Sequence, residues 1–328
     1  MWLRIAIRYS VSRIVPPYRV HEIMDIPMAP EWLLSKTGGR FYYGGKQKQR
    51  DQTWGLKSSV GDDCISWINH SSDVDLEPSL HFGEVSGGRD IQPIYNHPLC
   101  VDGAPIYEIE NLVDVKVWAA PMSHGIPCVG YVVEEESKTG KLKSELVEPT
   151  LLKNMEALKQ MNIKTPMKIM AHIKDLPEGG FYTFPDGTII HRDDVVEPPI
   201  KGRKVVICGD TADARALTSV AMGADLLIHE STNAFLNGID KDTSHEEVNN
   251  DAKIHGHSTP FMAGNFAKNI NAKRLLLTHF SSRYKGDQSL ESISIMTRIE
   301  KQAMQASRLP EDRVAAAWDL MILPIPRN

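Results

Sequence analysis

The sequence predicts a mixed α/β protein, and three observations predict it. Short apolar runs, KVVICGDT at 204–211, DLLIHEST at 225–232 and RLLLTHFSSRY at 274–284, recur along the second half of the chain. A segment of helical periodicity follows each, as ARALTSVAMGA, STPFMAGNFAKNINA and ESISIMTRIEKQAMQA. The runs are apolar throughout rather than alternating, which marks strands covered on both faces. Strands alternating with helices in this way imply an α/β sheet with covered faces.

The elements follow in chain order. Residues 1–14 read as a helix ended by Pro16-Pro17, with Trp2, Ile5 and Tyr9 at roughly helical spacing. Residues 18–105 alternate short apolar runs with Gly, Pro and polar clusters, so GGRFYYGGKQKQR and GEVSGGRD read as turns between strands. VKVWAAPMSH and CVGYVVEEE read as two strands around a loop that holds His124. PTLLKNMEALKQMNI reads as a helix, and EGGFYTFPDGTIIH as a hairpin around Pro185-Asp186-Gly187. Residues 149–200 are expected to form a lobe on the main fold without enough core to fold alone. Gly223 stops the helix after KVVICGDT, and NGIDKDTSHEEVNNDAKIHG is expected to be a polar loop. Ser258 or Thr259 caps the next helix, with Pro260 near its first position. VAAAWDLMILPIP is expected to be a last strand.

Composition narrows the function classes. The balance of 37 Lys and Arg against 42 Asp and Glu gives a net charge of −5, so any nucleic-acid partner needs a local basic surface. Cys64, Cys100, Cys128 and Cys208 form no CxxC pair, which gives neither a disulfide framework nor a zinc knuckle and fits a reducing compartment. No apolar run approaches transmembrane length. The first twenty residues carry four arginines and no acid, the composition of a transit peptide. An amphipathic helix with arginines on its wet face is the preferred reading.

Three consecutive strands end in polar residues: Asp210, then His229-Glu230, then His279. Carboxyl ends of strands are where ligands collect in α/β sheets. A carboxylate and imidazoles there suit zinc. His124 occupies a comparable loop, and His257 stands at the N-terminal edge of a helix, where N–H groups favour phosphate. Each residue alone has a plainer role as a turn former, cap or buried histidine. His229 is assigned to packing. The joint pattern points to a zinc hydrolase.

GDT at 209–211, HEST at 229–232, HST at 257–259 and THFSSRY at 278–284 resemble, in this order, the motifs of ribonuclease Z (tRNase Z) within the metallo-β-lactamase superfamily. MSHGIPCVGY at 122–131 resembles that family's third histidine motif. The resemblance covers residues 115–328, and residues 1–25 more loosely. It implies a four-layer αββα sandwich, incomplete at the N-terminus, as one domain over residues 1–328, with a tRNA-binding arm inserted at 141–200. It implies a zinc-dependent endoribonuclease that removes the 3′ trailer from precursor tRNA. His124 would bind one of two zinc ions, His279 the other, and Asp210 would bridge them. His257, oriented by Glu230, would protonate the leaving 3′ oxygen. Arg283 and Tyr284 would contact phosphate or serve the structure. Lys164, Lys168 and Lys174 would serve the arm, although the family's Gly-Pro stem is absent.

The family's HxHxDH motif does not occur, and neither His21-Glu22 nor His70 to Asp73 reproduces its spacing. Three of seven implied zinc ligands remain, so little or no endonuclease activity is expected of the chain as it stands. Met1 is read as an internal methionine of a longer ancestral chain. The alternatives are a catalytically dead, tRNA-binding or dimerising protein and a small-ester hydrolase of the same fold. A homodimer, no membrane, and an intracellular location in cytoplasm or nucleus rather than mitochondria complete the expectations.

Overall fold

The computed structural model describes residues 19, 21–28, 85, 87–112 and 114–327. The expected helix over residues 1–14 and most of the turns and strands expected over residues 18–105 lie outside them. In chain order the strands are β1 (Glu22–Ile23), β2 (Asp90–Ile91), β3 (Tyr107–Leu112), β4 (Val115–Met122), β5 (Cys128–Glu135), β6 (Phe181–Thr183), β7 (Ile189–His191), β8 (Lys204–Ile207), β9 (Leu226–Glu230), β10 (Leu275–Thr278) and β11 (Val314–Ala316). The helices are α1 (Ser144–Lys153), α2 (Met155–Gln160), α3 (Lys168–Lys174), α4 (Arg192–Val195), α5 (Thr218–Ala221), α6 (His245–Ile254), α7 (Pro260–Asn269) and α8 (Leu290–Ser307). They form two compact units, Met1–Glu134 with Lys204–Leu323, and Glu135–Arg203 with Pro324–Asn328.

The larger unit is built on a mixed sheet of order β11-β10-β9-β8-β5-β4-β3. Strands β8 to β11 run parallel, while β5 is antiparallel to β8 and β3 to β4. Register places Val132, Val206, Leu227, Leu275 and Val314 in one row across five strands. All five are buried, in one core with Leu217, Val220, Phe266, Ile270 and Ile299 of the helical segments. Adjacent residues on a strand face opposite ways. The neighbouring row, Tyr131, Ile207, Ile228, Leu276 and Ala315, therefore lies on the other face. Tyr131 and Ile207 are 37% and 40% exposed and the other three are half-buried. Over β3 to β5 this second face is covered, because Ile23, Ile26 and Ile91 pack with Tyr107, Ala119 and Val129. Among the described residues, one face of the sheet is thus fully covered and the other in part. Among the described residues the second layer is the β1–β2 pair.

Local chemistry explains the helix ends. Thr259 caps α7, accepting from the Met262 N–H, with Pro260 in the first turn. Helices α7 and α8 approach closely at Gly264, where a Cβ would stand 2.5 Å from the Ala303 carbonyl. The polar loop expected over 237–256 contains α6, started by a capping box of Ser244 and Glu247. The helix expected after Asp210 is shorter, a 3-10 turn at Arg215–Leu217 running into α5 and ended by Gly223 at φ +71°. The last strand is three residues long. Past Ala317, whose N–H reaches Leu277, no sheet partner among the described residues continues the ladder, and Trp318, Leu320 and Ile322 are exposed.

The smaller unit has a cluster of buried residues of its own. Val147, Leu151, Leu158, Ile169, Ile173, Phe184, Ile190, Val195 and Val196 are all buried in it. The hairpin β6–β7 forms where expected. The single helix expected over 149–163 is instead α1 and α2, which meet at Asn154. The Asn154 side chain donates to the Thr150 carbonyl at 2.9 Å and accepts from the Asp186 N–H at 3.0 Å, joining the helix break to the hairpin turn. Lys164 and Lys168 are exposed and Lys174 is half-buried.

Candidate metal centre

Four loops of the larger unit converge beyond the carboxyl ends of β4, β8, β9 and β10. Backbone hydrogen bonds join them. Ala212 N–H donates to Ser123, Ser231 N–H to Thr278, Thr232 N–H to Ser258 and Ser281 N–H to Thr232, all within 2.9 Å. Hydroxyls add to this. Thr211 Oγ1 donates in reach of the Ser123 and Asp213 carbonyls, and Ser258 Oγ donates to the Thr211 carbonyl at 2.6 Å. The sequence places these small hydroxyl residues inside GDT and HST, yet their binding of loop to loop is visible only in three dimensions.

Asp210, His257 and His279 meet here. Each offers one ligand atom, and the three atoms lie within 4.8 Å of one another. His279 Nε2 is 3.2 Å from Asp210 Oδ1, and the His257 and His279 rings stack at 5.4 Å. His124 adjoins this group without joining it: its ring is 5.5 Å from that of His257. Its Nδ1 is 2.8 Å from the Gly256 carbonyl. Gly256, at φ +80°, admits this contact because a Cβ there would stand 2.4 Å from His124 Nδ1. Nothing in the sequence around Gly256 distinguishes it from an ordinary helix-ending glycine.

Glu230 lies beneath, fully buried. Oε1 accepts from the Thr211 N–H and faces His257 Nδ1 at 3.2 Å, while Oε2 accepts from Thr232 Oγ1 at 2.5 Å. Burial raises its pKa, but hydrogen bonds from His257, Thr232, Thr211 and Ser258 outweigh burial and hold the carboxyl below its ordinary range. The hydrogen bond to Glu230 in turn raises the His257 imidazole against the effect of its own burial. All three site histidines therefore engage a protein oxygen through Nδ1: His257 with Glu230, His279 with Thr232 at 2.8 Å, and His124 with Gly256. That pattern orients Nε2 as the donor in metal-bound histidines. Imidazole and carboxylate donors fit zinc in kind.

Neighbouring residues are accounted for. Cys128 Sγ donates to the Asp210 carbonyl at 3.4 Å. Burial pushes its thiol up to about 11, so it stays protonated and offers no thiolate. His229 is buried, with Nδ1 2.8 Å from the Glu230 carbonyl and its ring 5.8 Å from Phe266, a packing residue as assigned. Arg283 and Tyr284 hydrogen-bond inward. Arg283 pairs with Asp240 at 3.0 Å and donates to the Ala234 carbonyl and the Tyr284 hydroxyl. The Tyr284 hydroxyl accepts from the Ala234 N–H at 2.9 Å and donates to Asn233 Oδ1. Lys164, Lys168 and Lys174 belong to the smaller unit.

No family model matches the chain. It is 36% identical over 212 residues to ribonuclease Z of Bacillus subtilis (strain 168), covering 65% of this chain and 57% of that protein. It is 34% identical over 231 residues to ribonuclease Z of Bacillus velezensis, covering 70% and 61%. It is 34% identical over 181 residues to ribonuclease BN of Proteus mirabilis, covering 55% and 50%. The chain thus spans half to three-fifths of the length of these curated relatives. Among solved structures, human tRNase Z, short form, aligns with TM-score 0.37 and 23% identity over 74% of this chain and 55% of that one. The metallo-β-lactamase fold protein YhfI of Bacillus subtilis aligns with TM-score 0.32 and 14% identity, covering 70% and 53%.

Proposed function

We propose that the chain, 34–36% identical to two curated ribonuclease Z proteins, belongs to the ribonuclease Z family of the metallo-β-lactamase superfamily and contributes to a metal-dependent site for cleaving the 3′ trailer from precursor tRNA. The observation that carries the reading is the meeting of Asp210, His257 and His279 above the buried Glu230. Asp210 and His279 would hold the metal. His257, with Nδ1 turned to Glu230, presents Nε2 to the leaving 3′ oxygen and supplies its proton. His124, set by Gly256, stands beside them as a further donor. The family's second zinc would draw on donors additional to this set. Bound zinc supplies Lewis acidity toward the scissile phosphate.

The smaller unit serves as the tRNA arm, with Lys164 and Lys168 as its exposed phosphate contacts. Three donors among the described residues make weak zinc binding and slow cleavage the expected behaviour. The test is zinc content by elemental analysis together with trailer release from a precursor tRNA. Zinc uptake and trailer release that both disappear in Asp210→Ala carry the reading. Binding of tRNA with neither zinc nor cleavage overturns it in favour of a catalytically dead tRNA-binding protein.

A further inference from the structure

Thr232 lies between Glu230 and His279. Its Oγ1 is 2.5 Å from Glu230 Oε2, 2.8 Å from His279 Nδ1 and 3.1 Å from the His279 carbonyl. A hydroxyl has one proton to donate and two lone pairs with which to accept. The carboxylate and the carbonyl oxygens can only accept. The shortest contact, to the charged oxygen, takes the hydroxyl proton. What Thr232 then offers His279 is a lone pair, and a lone pair is satisfied only by a protonated Nδ1.

The other side of the same ring pulls in the opposite sense. His279 Nε2 lies 3.2 Å from Asp210 Oδ1, and a carboxylate there draws the single proton of a neutral imidazole onto Nε2. A proton on Nε2 blocks the lone pair that a metal would take. We propose that Thr232 is a positioning residue that holds the proton of neutral His279 on Nδ1, so that Nε2 faces Asp210 as an open donor; its consequence for metal rests on the reading of His279 as a ligand. Thr232 is itself fixed, since its N–H donates to Ser258 and its carbonyl accepts from Ser281. One buried carboxylate thereby orients two imidazoles, His257 directly and His279 through a hydroxyl.

The experiment is a long-range proton–nitrogen correlation spectrum of the full chain, labelled with 15N-histidine, freed of metal by chelation and recorded at alkaline pH. His279 is assigned by its disappearance in His279→Gln. The Nδ1–H tautomer is expected in the wild type and in Thr232→Ser, and the Nε2–H tautomer in Thr232→Val. Zinc affinity should fall about 10- to 100-fold in Thr232→Val and be restored in Thr232→Ser. A wild-type spectrum with the proton on Nε2 overturns the proposal whether or not any variant folds, and so does an unchanged tautomer in Thr232→Val. An Nδ1–H tautomer without zinc uptake leaves the proposal standing and removes the metal reading instead.

Discussion

At Gly256 the backbone adopts φ +80° and the carbonyl reaches His124, two demands that no L side chain meets together. Gly256→Ala is expected to destabilise the fold by about 1–3 kcal/mol and to displace His124. Thermal denaturation reads the first effect and the His124 ring resonances the second; a wild-type midpoint with unmoved resonances counts against it. Glu135, in the smaller unit, makes a different prediction. Hydrogen bonds from Arg203, with a further one from Arg327, hold its carboxyl down at about 2. A depressed carboxylate stabilises the fold fully above its unfolded pKa of about 4.3, and that contribution is lost as pH falls toward 2. The wild-type unfolding midpoint should drop more steeply between pH 5 and about 2 than that of Glu135→Gln, and parallel curves would refute this. At this scale the sequence located the converging side chains, because Asp210, Glu230, His257 and His279 each stand at a recognisable strand or helix boundary. It carried the supports poorly. Thr232 and Gly256 act through contacts with residues 47 and 132 positions away, and no local pattern encodes such pairs.

Among the elements, α6 is the instructive miss. Its Ser244-His-Glu-Glu247 start is a legible capping box, but only Val248 and Ala252 are buried, so hydrophobic periodicity was too sparse to mark a helix. The smaller unit, expected to lack enough core to fold alone, gathers nine buried residues from its short helices and hairpin. A lobe with its own core can present surface lysines at fixed positions. Replacing Lys164 and Lys168 by Ala should weaken tRNA binding about equally across tRNA sequences and flatten its salt dependence by about one unit of slope per lysine. Binding measured against salt concentration decides this, and an unchanged slope removes the arm assignment.

The whole molecule shows how burial divides between two rows of one sheet. Leu227 is buried from every side and Ile207, one strand away on the opposite face, is 40% exposed. Leu227→Ala should cost about 2–5 kcal/mol, whereas Ile207→Lys should be tolerated within about 0.5 kcal/mol. Equal destabilisation in denaturant titrations would show that the second face is as closely packed as the first. The α/β class and the succession of strands along the second half could be read from apolar runs alone; the partial covering of the second face among the described residues could not, because a run of Val, Ile and Leu looks the same whichever face is covered. His279, at φ +56°, bears on the stability of the molecule as a whole. A histidine in that region costs about 1–3 kcal/mol, against a total of roughly 5–15 kcal/mol for a typical folded protein. Asn or Gly would sit there with less strain. Laboratory evolution for heat resistance alone would therefore enrich replacements at position 279 and discard the imidazole, while, on the proposed reading of His279 as a ligand, selection that also demands metal retention would keep the histidine and gather its stabilising changes elsewhere.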